Sequence, residues 1–273
     1  MNNDRHTKKQ GARTGGAERP ETPPKKPSKK RLDALVVEKQ LAESRGRAQA
    51  LIMAGNILVD DTPVDKPGAF VRAGAVITSR AEDLKFVSRG GLKLEHALDV
   101  FSVDVAGAKC LDVGASTGGF TDCLLQRGAK SVCAVDVGYG QLAWKLRNDG
   151  RVHVIERKNI RYMTAEDLPA PFDIVTIDVS FISLKIVVPV VRTFLKPAGQ
   201  ILALVKPQFE VGKDQVGKGG VVRDSALHDA VTEGLASFFH EKCRLESMGI
   251  TPSPISGPKG NREFILLLGR ASG

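Results

Sequence analysis

Leu111-Asp112-Val113-Gly114-Ala115-Ser116-Thr117-Gly118-Gly119-Phe120-Thr121 decides the architecture. An apolar run stops at Val113, glycines turn the chain, and a helical pattern follows, which is the opening of an α/β unit. Glycine permits both the tight turn and close approach of a ligand to backbone. Asp112 is placed to accept hydrogen bonds from a cationic ligand group. The spacing, Asp-x-Gly-x-x-x-Gly-Gly, differs from the Gly-x-Gly-x-x-Gly of dinucleotide sites. The next apolar run, Ser131–Val135, ends in Asp136, twenty-two residues after Gly114, where an acid meets ribose hydroxyls. Asp112, the glycine pair and Asp136 on successive strands point to S-adenosylmethionine, with a nicotinamide cofactor as the alternative. The expected cofactor-binding set is Asp112, Gly114, Ala115, Ser116, Gly118, Gly119, Phe120 and Asp136, joined downstream by Asn159 and Asp178. A plain structural turn leaves Asp136 unexplained.

Further along, Val152–Ile155, residues 172–179, 200–205, a run around Leu245 and residues 264–268 alternate with helical patterns. Such alternation predicts a mostly parallel sheet with helices on both faces and a ligand beyond the carboxyl ends of its strands. Asp178 ends one run and Lys206 the next. A single charged terminator marks a solvent end, whereas two of opposite sign on adjacent strands mark the ligand edge. Asn159 either contacts an adenine or caps the following turn. Trp144 and Tyr139 read as packing residues, and Phe181 and Phe209 as walls of the site or members of the core.

Upstream, Leu32, Leu35 and Val36 recur at helical spacing and Leu41 continues the series. Ser44 caps a second helix over 45–54, with Ala48, Leu51 and Ile52 inward and Gly55 as its stop. Ile57 and Val59 alternate before an Asp60-Asp61-Thr62-Pro63 turn, Val64 begins the return, and Lys66-Pro67-Gly68 turns again. Two helices and a few strands make a minimal core, and the polar run 78–83 is the expected boundary.

Arg31-Leu32-Asp33, Leu41-Ala42-Glu43-Ser44-Arg45, Leu51-Ile52, Gly55, Ile57-Leu58-Val59 and Lys66-Pro67 together resemble an S4 RNA-binding domain. That resemblance implies that Arg45 and Arg47, with Arg31 beside them, face RNA. Asp60-Asp61 departs from the usual Val-Asn-Gly hairpin, and residues 32–91 balance at eight charges of each sign. An RNA-binding face there must come from segregated charge.

Lys93 in Ser88-Arg89-Gly90-Gly91-Leu92-Lys93-Leu94, Asp178 in Ile177-Asp178-Val179-Ser180-Phe181, Lys206 in Val205-Lys206-Pro207-Gln208-Phe209-Glu210 and Glu263 in Asn261-Arg262-Glu263-Phe264 resemble the Lys-Asp-Lys-Glu tetrad of FtsJ-like ribose methyltransferases. An S4 domain ahead of such a module is similar to the TlyA family, and the likeness runs from about Arg31 to Arg270. It implies an α/β fold: a Rossmann-like class I methyltransferase sheet preceded by a small α+β S4 domain. The expected divisions are a disordered basic arm (1–30), which lies outside the resemblance, the S4 domain (31–80), a linker (81–91) and the methyltransferase domain (92–270). The implied reaction is methylation of a cytidine 2′-hydroxyl in ribosomal RNA of the large subunit, with the small subunit as a second candidate. The resemblance further implies ribosomal RNA or ribosomal subunits as partners, and the cytoplasm is the expected location. The family also carries the older name hemolysin.

The chemistry requires these residue types. A ribose hydroxyl must lose its proton as it attacks the methyl of a sulfonium in line, and a lysine taken out of water beside another cation can accept or stabilise that proton. Lys206 is assigned this role, Asp178 orients it, and Lys93 and Glu263 position the ribose. Arg89 and the lysines of the glycine-rich loop 212–220, Lys213 and Lys218, join Arg31, Arg45 and Arg47 as expected RNA contacts. No metal is expected, because His6, His96, His153, His228 and His240 have no ligand spacing.

Composition narrows the classes. The 273 residues are 42% hydrophobic, which suits one large domain with a small one attached and excludes fibrous or wholly disordered chains. No apolar run approaches the roughly 20 residues of a spanning helix. Cys110, Cys123, Cys133 and Cys243 form no Cys-x-x-Cys pair, as expected of buried thiols in a reducing compartment. Up to Arg31 ten Lys and Arg stand against three acids, a surplus of seven out of the chain's net +9. Four prolines and no aromatic residue make that head a disordered arm, either a solubilising tail or a polyanion-seeking one. Two rivals to the enzyme remain: an RNA-binding or assembly factor without turnover, which has no need of the whole tetrad, and a membrane-lytic protein, for which no suitable helix is seen.

Overall fold

The computed structural model describes residues 29–42, 44–80 and 85–270, except the side chains of Lys213 and Pro258. The basic arm up to residue 28 lies outside the described residues. The first domain runs β1 (Lys29–Arg31), α1 (Leu32–Glu38), α2 (Arg45–Met53), β2 (Ile57–Val59), β3 (Thr62–Pro63), β4 (Phe70–Arg72) and β5 (Ile77–Ser79). β1 pairs with β4, and β2 lies between β3 and β5. Leu32, Leu35, Val36, Ala48, Leu51, Ile52, Ile57 and Ile77 form its buried core.

Two local expectations change here. The first helix does not extend to Leu41: Gln40 turns left-handed at φ 59°, and the Leu41 amide returns to the Val36 carbonyl at 3.0 Å. This is a Schellman stop, after which Leu41 still packs on the core. The hairpin turn is also shorter than the four residues read from the sequence. Asp60 and Asp61 both have positive φ, 48° and 62°, and Thr62 already pairs with Val59. Two left-handed residues match the twist of the strands, and Asp60 Oδ1 fastens the turn by accepting from the Val76 amide at 3.0 Å.

The second domain runs α3 (Gly90–Val100), β6 (Lys109–Val113), α4 (Gly119–Gln126), β7 (Ser131–Val135), α5 (Trp144–Arg147), β8 (Val152–Ile155), β9 (Phe172–Ile177), α6 (Leu184–Val191), β10 (Leu195–Val205), α7 (Ser225–Cys243), β11 (Leu245–Pro252) and β12 (Phe264–Arg270). Its seven strands are ordered β11-β12-β10-β9-β6-β7-β8. β12 is antiparallel to β10 and β11, and the remaining pairs are parallel. Such strands are apolar on both faces because helices cover both. Leu111 and Val113 of β6 join the core under α6 and α7, while Cys110 joins the one under α3 and α4.

Residues 85–89, expected to belong to a linker, contribute to that second core. Phe86 and Val87 are buried with Leu94, Leu98 and Leu124. Two apolar residues are too short a run to show periodicity, and only the close approach of the Phe86 ring to Gly91 reveals their place. The chain leaves β6 toward β7 and β8 on one side and crosses to β9 and β10 on the other. A crevice opens beyond the carboxyl ends of β6 and β9, where the strand order reverses.

Candidate active site

The carboxyl ends of β6, β9 and β10 deliver Gly114, Asp178 and Lys206 to this crevice. A Cβ at Gly114, whose φ is 83°, would lie 2.3 Å from the Asp178 carbonyl oxygen. Glycine there lets the ends of two strands touch. At Gly119 a Cβ would meet Ser88 Oγ at 2.3 Å, so α4 can start against the start of α3. Gly118 precedes α4, packed beside Leu142 and Leu146. These glycines admit neighbouring chain at least as much as a ligand.

Two cavities meet at this edge. The larger, about 950 Å³, is lined among others by Ser116, Asp136, Asn159, Phe181 and Phe209. The smaller, about 320 Å³, is lined among others by Arg89, Lys93, Phe120, Lys206, Glu263 and, from α2, Met53. Gly114, Ser116, Gln141 and Asp178 line both. Asp136 accepts from the Ser116 amide at 2.8 Å and the Gly138 amide at 2.6 Å, which fixes it in the wall of the larger cavity. Asn159 Oδ1 accepts from the Arg161 amide at 3.1 Å, so it caps the turn and lines the cavity at once. Ala115 and Phe120 are nearly buried at the smaller cavity.

Asp112 is a correction. It is wholly buried below the cavities, where it accepts from Thr121 Oγ1 at 2.7 Å and Thr176 Oγ1 at 3.0 Å. Burial pushes its carboxyl up to about 6 against the pull of those hydroxyls. It points to the α4 side of the sheet and ties β6 to α4 and β9.

Lys93, Asp178, Lys206 and Glu263 come together as two ion pairs at the smaller cavity. Lys206 Nζ is 2.6 Å from Asp178 Oδ1 and 3.0 Å from Ser180 Oγ. Lys93 Nζ, on α3, is 2.5 Å from Glu263 Oε2 at the entry to β12. Lys93 and Glu263 are buried, so each charge offsets the desolvation of the other. Glu263 Oε1 is buried with no hydrogen-bond partner among the described residues.

On the first domain, Arg31 reaches Asp33 with two nitrogens, at 3.0 and 2.8 Å, and Arg45 adds a third contact at 3.1 Å. Asp33 is fully buried, yet the Arg31 guanidinium holds its carboxyl well below the usual range. Arg31 and Arg45 keep roughly half their side-chain surface open, so a buried acid fixes the direction of two exposed cations. Arg47 follows Arg45 on α2, where Ser44 Oγ accepts from its amide at 3.2 Å. Arg89 lines the smaller cavity and Lys218 is exposed on its loop, while the Lys213 side chain lies outside the described ones.

Tyr139 and Trp144 do not pack inward: they are 67% and 58% exposed. Helix α5 has only four residues, and Leu142, Ala143 and Leu146 already fill the core beneath it. The guanidinium of Arg157 lies 4.1 Å from the centre of the Tyr139 ring. Phe181 is 90% exposed, with φ 64°, and rests on Phe209 at 4.9 Å, so these two rings wall the larger cavity. Sequence reasoning missed Gln141, which accepts from Ser116 Oγ at 3.2 Å between the cavities, and Asp33 as an anchor. A polar side chain in a glycine-rich loop gave no signal for the first; an acid within a short amphipathic helix gave only a faint one for the second.

The model of the FtsJ-like methyltransferases matches residues 86–270, and that of the S4 domain residues 30–77. Over 239 residues the chain is 48% identical to the 16S/23S rRNA (cytidine-2′-O)-methyltransferase TlyA of Mycobacterium tuberculosis, covering 87% of this chain and 89% of that one. It is 40% identical to hemolysin A of Brachyspira hyodysenteriae, covering 86% and 98%. A solved structure from Streptococcus thermophilus, provisionally described as a hemolysin, superposes with a TM-score of 0.71 at 44% identity over 90% of each chain. Among the described residues no helix is long and apolar enough to cross a membrane.

Proposed function

This chain belongs to the TlyA family of S4-fused, FtsJ-like methyltransferases, and on that premise we propose that it methylates the 2′-hydroxyl of a cytidine in ribosomal RNA, in the cytoplasm, with S-adenosylmethionine as the methyl donor. The observation that carries this reading is the Lys206–Asp178 pair at the meeting of the two cavities, with Lys93–Glu263 beside it. When bound, S-adenosylmethionine supplies an electrophilic methyl on a sulfonium and leaves as a neutral thioether. The larger cavity suits it: Asp136 has lone pairs for ribose hydroxyls, Asn159 lies beyond β8 for the adenine, and the edges of Gly114 and Ser116 offer backbone.

The ribose belongs in the smaller cavity, on the far side of Gly114 and Asp178. Asp178 and Ser180 occupy two positions around Lys206 Nζ, leaving the third for the acceptor oxygen. The 2′-oxygen gains the methyl as its proton passes to the lone pair of Lys206 in its amine form, whose two N–H groups Asp178 and Ser180 hold. Lys93, held by Glu263, orients the ribose, and Glu263 Oε1, buried beside Gly257 without a hydrogen-bond partner among the described residues, keeps its lone pairs for a ribose hydroxyl. Holding the reactants in line supplies a large part of the acceleration. On the first domain Arg31, Arg45 and Arg47 meet the phosphates of structured RNA, with Arg89 and Lys218 nearer the chemistry and the Lys213 backbone on the same loop.

The test is transfer of labelled methyl to unmodified ribosomal subunits, with nucleosides identified by mass spectrometry. Wild type should yield 2′-O-methylcytidine, and Lys206→Ala should lose at least about 100-fold in rate while keeping its affinity for S-adenosylmethionine. RNA and cofactor binding without any transfer by wild type would favour the assembly-factor reading.

A further inference from the structure

The loops that leave β9 and β10 run side by side and are joined in succession. Asp178 and Ser180 meet Lys206 at 2.6 and 3.0 Å, and Phe181 lies on Phe209 at 4.9 Å. At the far end Glu210 Oε2 accepts from Ser183 Oγ at 2.6 Å and Oε1 from the Leu184 amide at 2.8 Å. Ser183 is the N-cap of α6 and also accepts from the Lys185 amide at 3.1 Å. Glu210 lines neither cavity, and both of its oxygens are committed to the other loop. Burial pushes its carboxyl above the usual range, so its place is kept against a desolvation cost.

We propose that Glu210 is a positioning residue for methyl transfer: it fastens the first turn of α6 to the turn after β10 and thereby sets Asp178 and Ser180 against Lys206. This rests on the reading of Lys206 and Asp178 as the reacting pair. The need for a fastener follows from the span it closes. Phe181 sits in the left-handed region at φ 64° and is almost wholly exposed. A bulky residue holds that conformation only where its surroundings impose it. Asp178 ends the span in a pair with Lys206, and Glu210 anchors the other end. Without the second anchor the loop can relax, and the two charges lose their register.

The experiment compares Glu210→Ala, Glu210→Gln and Ser183→Ala in the full chain. Glutamine keeps a carbonyl for the Leu184 amide and an amide group for Ser183 Oγ, so the fastening survives without the charge. Single-turnover methylation at saturating cofactor should fall about 10- to 100-fold in Glu210→Ala, less in Ser183→Ala, and recover to within about threefold in Glu210→Gln. Cofactor affinity should change less than the rate. Independently of turnover, amide exchange over 179–184 should quicken at least about tenfold in Glu210→Ala while the strands keep their protection. Unchanged exchange there, or a folded Glu210→Ala with the wild-type rate, overturns the positioning role. An inactive wild type instead overturns the functional reading, and the exchange result still decides the role of Glu210. Should Glu210→Ala not fold, Ser183→Ala carries both measurements.

Discussion

Asp112 shows how a residue can look like a ligand contact and be a strut. Its sequence position, at the end of an apolar strand before a glycine turn, is the same for both roles. The hydroxyls that claim it come from Thr121 and Thr176, nine and sixty-four residues away, and no local pattern announces them. Its carboxyl titrates near 6 in the fold against 3.8 when free, so folding takes up a proton between those values. A raised carboxyl lowers stability as pH rises through that window. The difference corresponds to on the order of 3 kcal/mol. Thermal denaturation of Asp112→Asn and wild type from pH 4 to 7 should therefore show their stability difference shifting in the variant's favour as pH rises, levelling off above about pH 6. A difference independent of pH would refute the assignment. Asp178 and Lys206 were legible for the opposite reason: each is a charge closing an apolar strand, and strand adjacency brings them to 2.6 Å. Lys93 and Glu263 are 170 residues apart, so no local pattern links them, and only the family resemblance paired them.

Among elements, the strands were the most legible part of the chain. β7 and β8 have the bounds that their runs predict, and in β7 this follows because a strand covered on both faces is a short block of apolar residues. Where apolar blocks are interrupted, the ends were missed: β10 begins at Leu195, although Lys196, Pro197 and Gly199 break its pattern. Helix α2 shows what periodicity conceals. Ser44 and the inward stripe were readable, but the direction of Arg45 is set by Asp33 on α1, which also takes Arg31 and Gln49. Asp33→Asn should weaken binding of ribosomal RNA several-fold, roughly 3- to 10-fold, because two cations lose their bearing while net positive charge rises by one. A tighter complex would mean that charge count outweighs direction. Binding measured across salt concentrations separates the two: lost phosphate contacts flatten the salt dependence, whereas added charge steepens it.

Over the whole molecule, two domains share one chain: the second has a core on each face of its sheet, and the first has a core of its own and reaches the smaller cavity through Met53. That division was legible as a change in spacing, from closely set turns to longer alternating blocks. The attachment was not, because Phe86 and Val87 reveal themselves only by what they touch. The cysteines give this layout a practical use. All four are buried thiols, Cys110 and Cys123 under α3 and α4, Cys133 and Cys243 under α6 and α7, and burial pushes Cys110, Cys123 and Cys133 up to about 12 and raises Cys243 as well. Native protein should resist alkylation at neutral pH and take up four labels once denatured, as intact mass would show. Partial labelling during unfolding then distinguishes the two faces of the sheet as separate clocks. Since all four native thiols are buried and Met53 is exposed, Met53→Cys would give the native chain a single reactive handle, and a fluorophore there would watch RNA arrive.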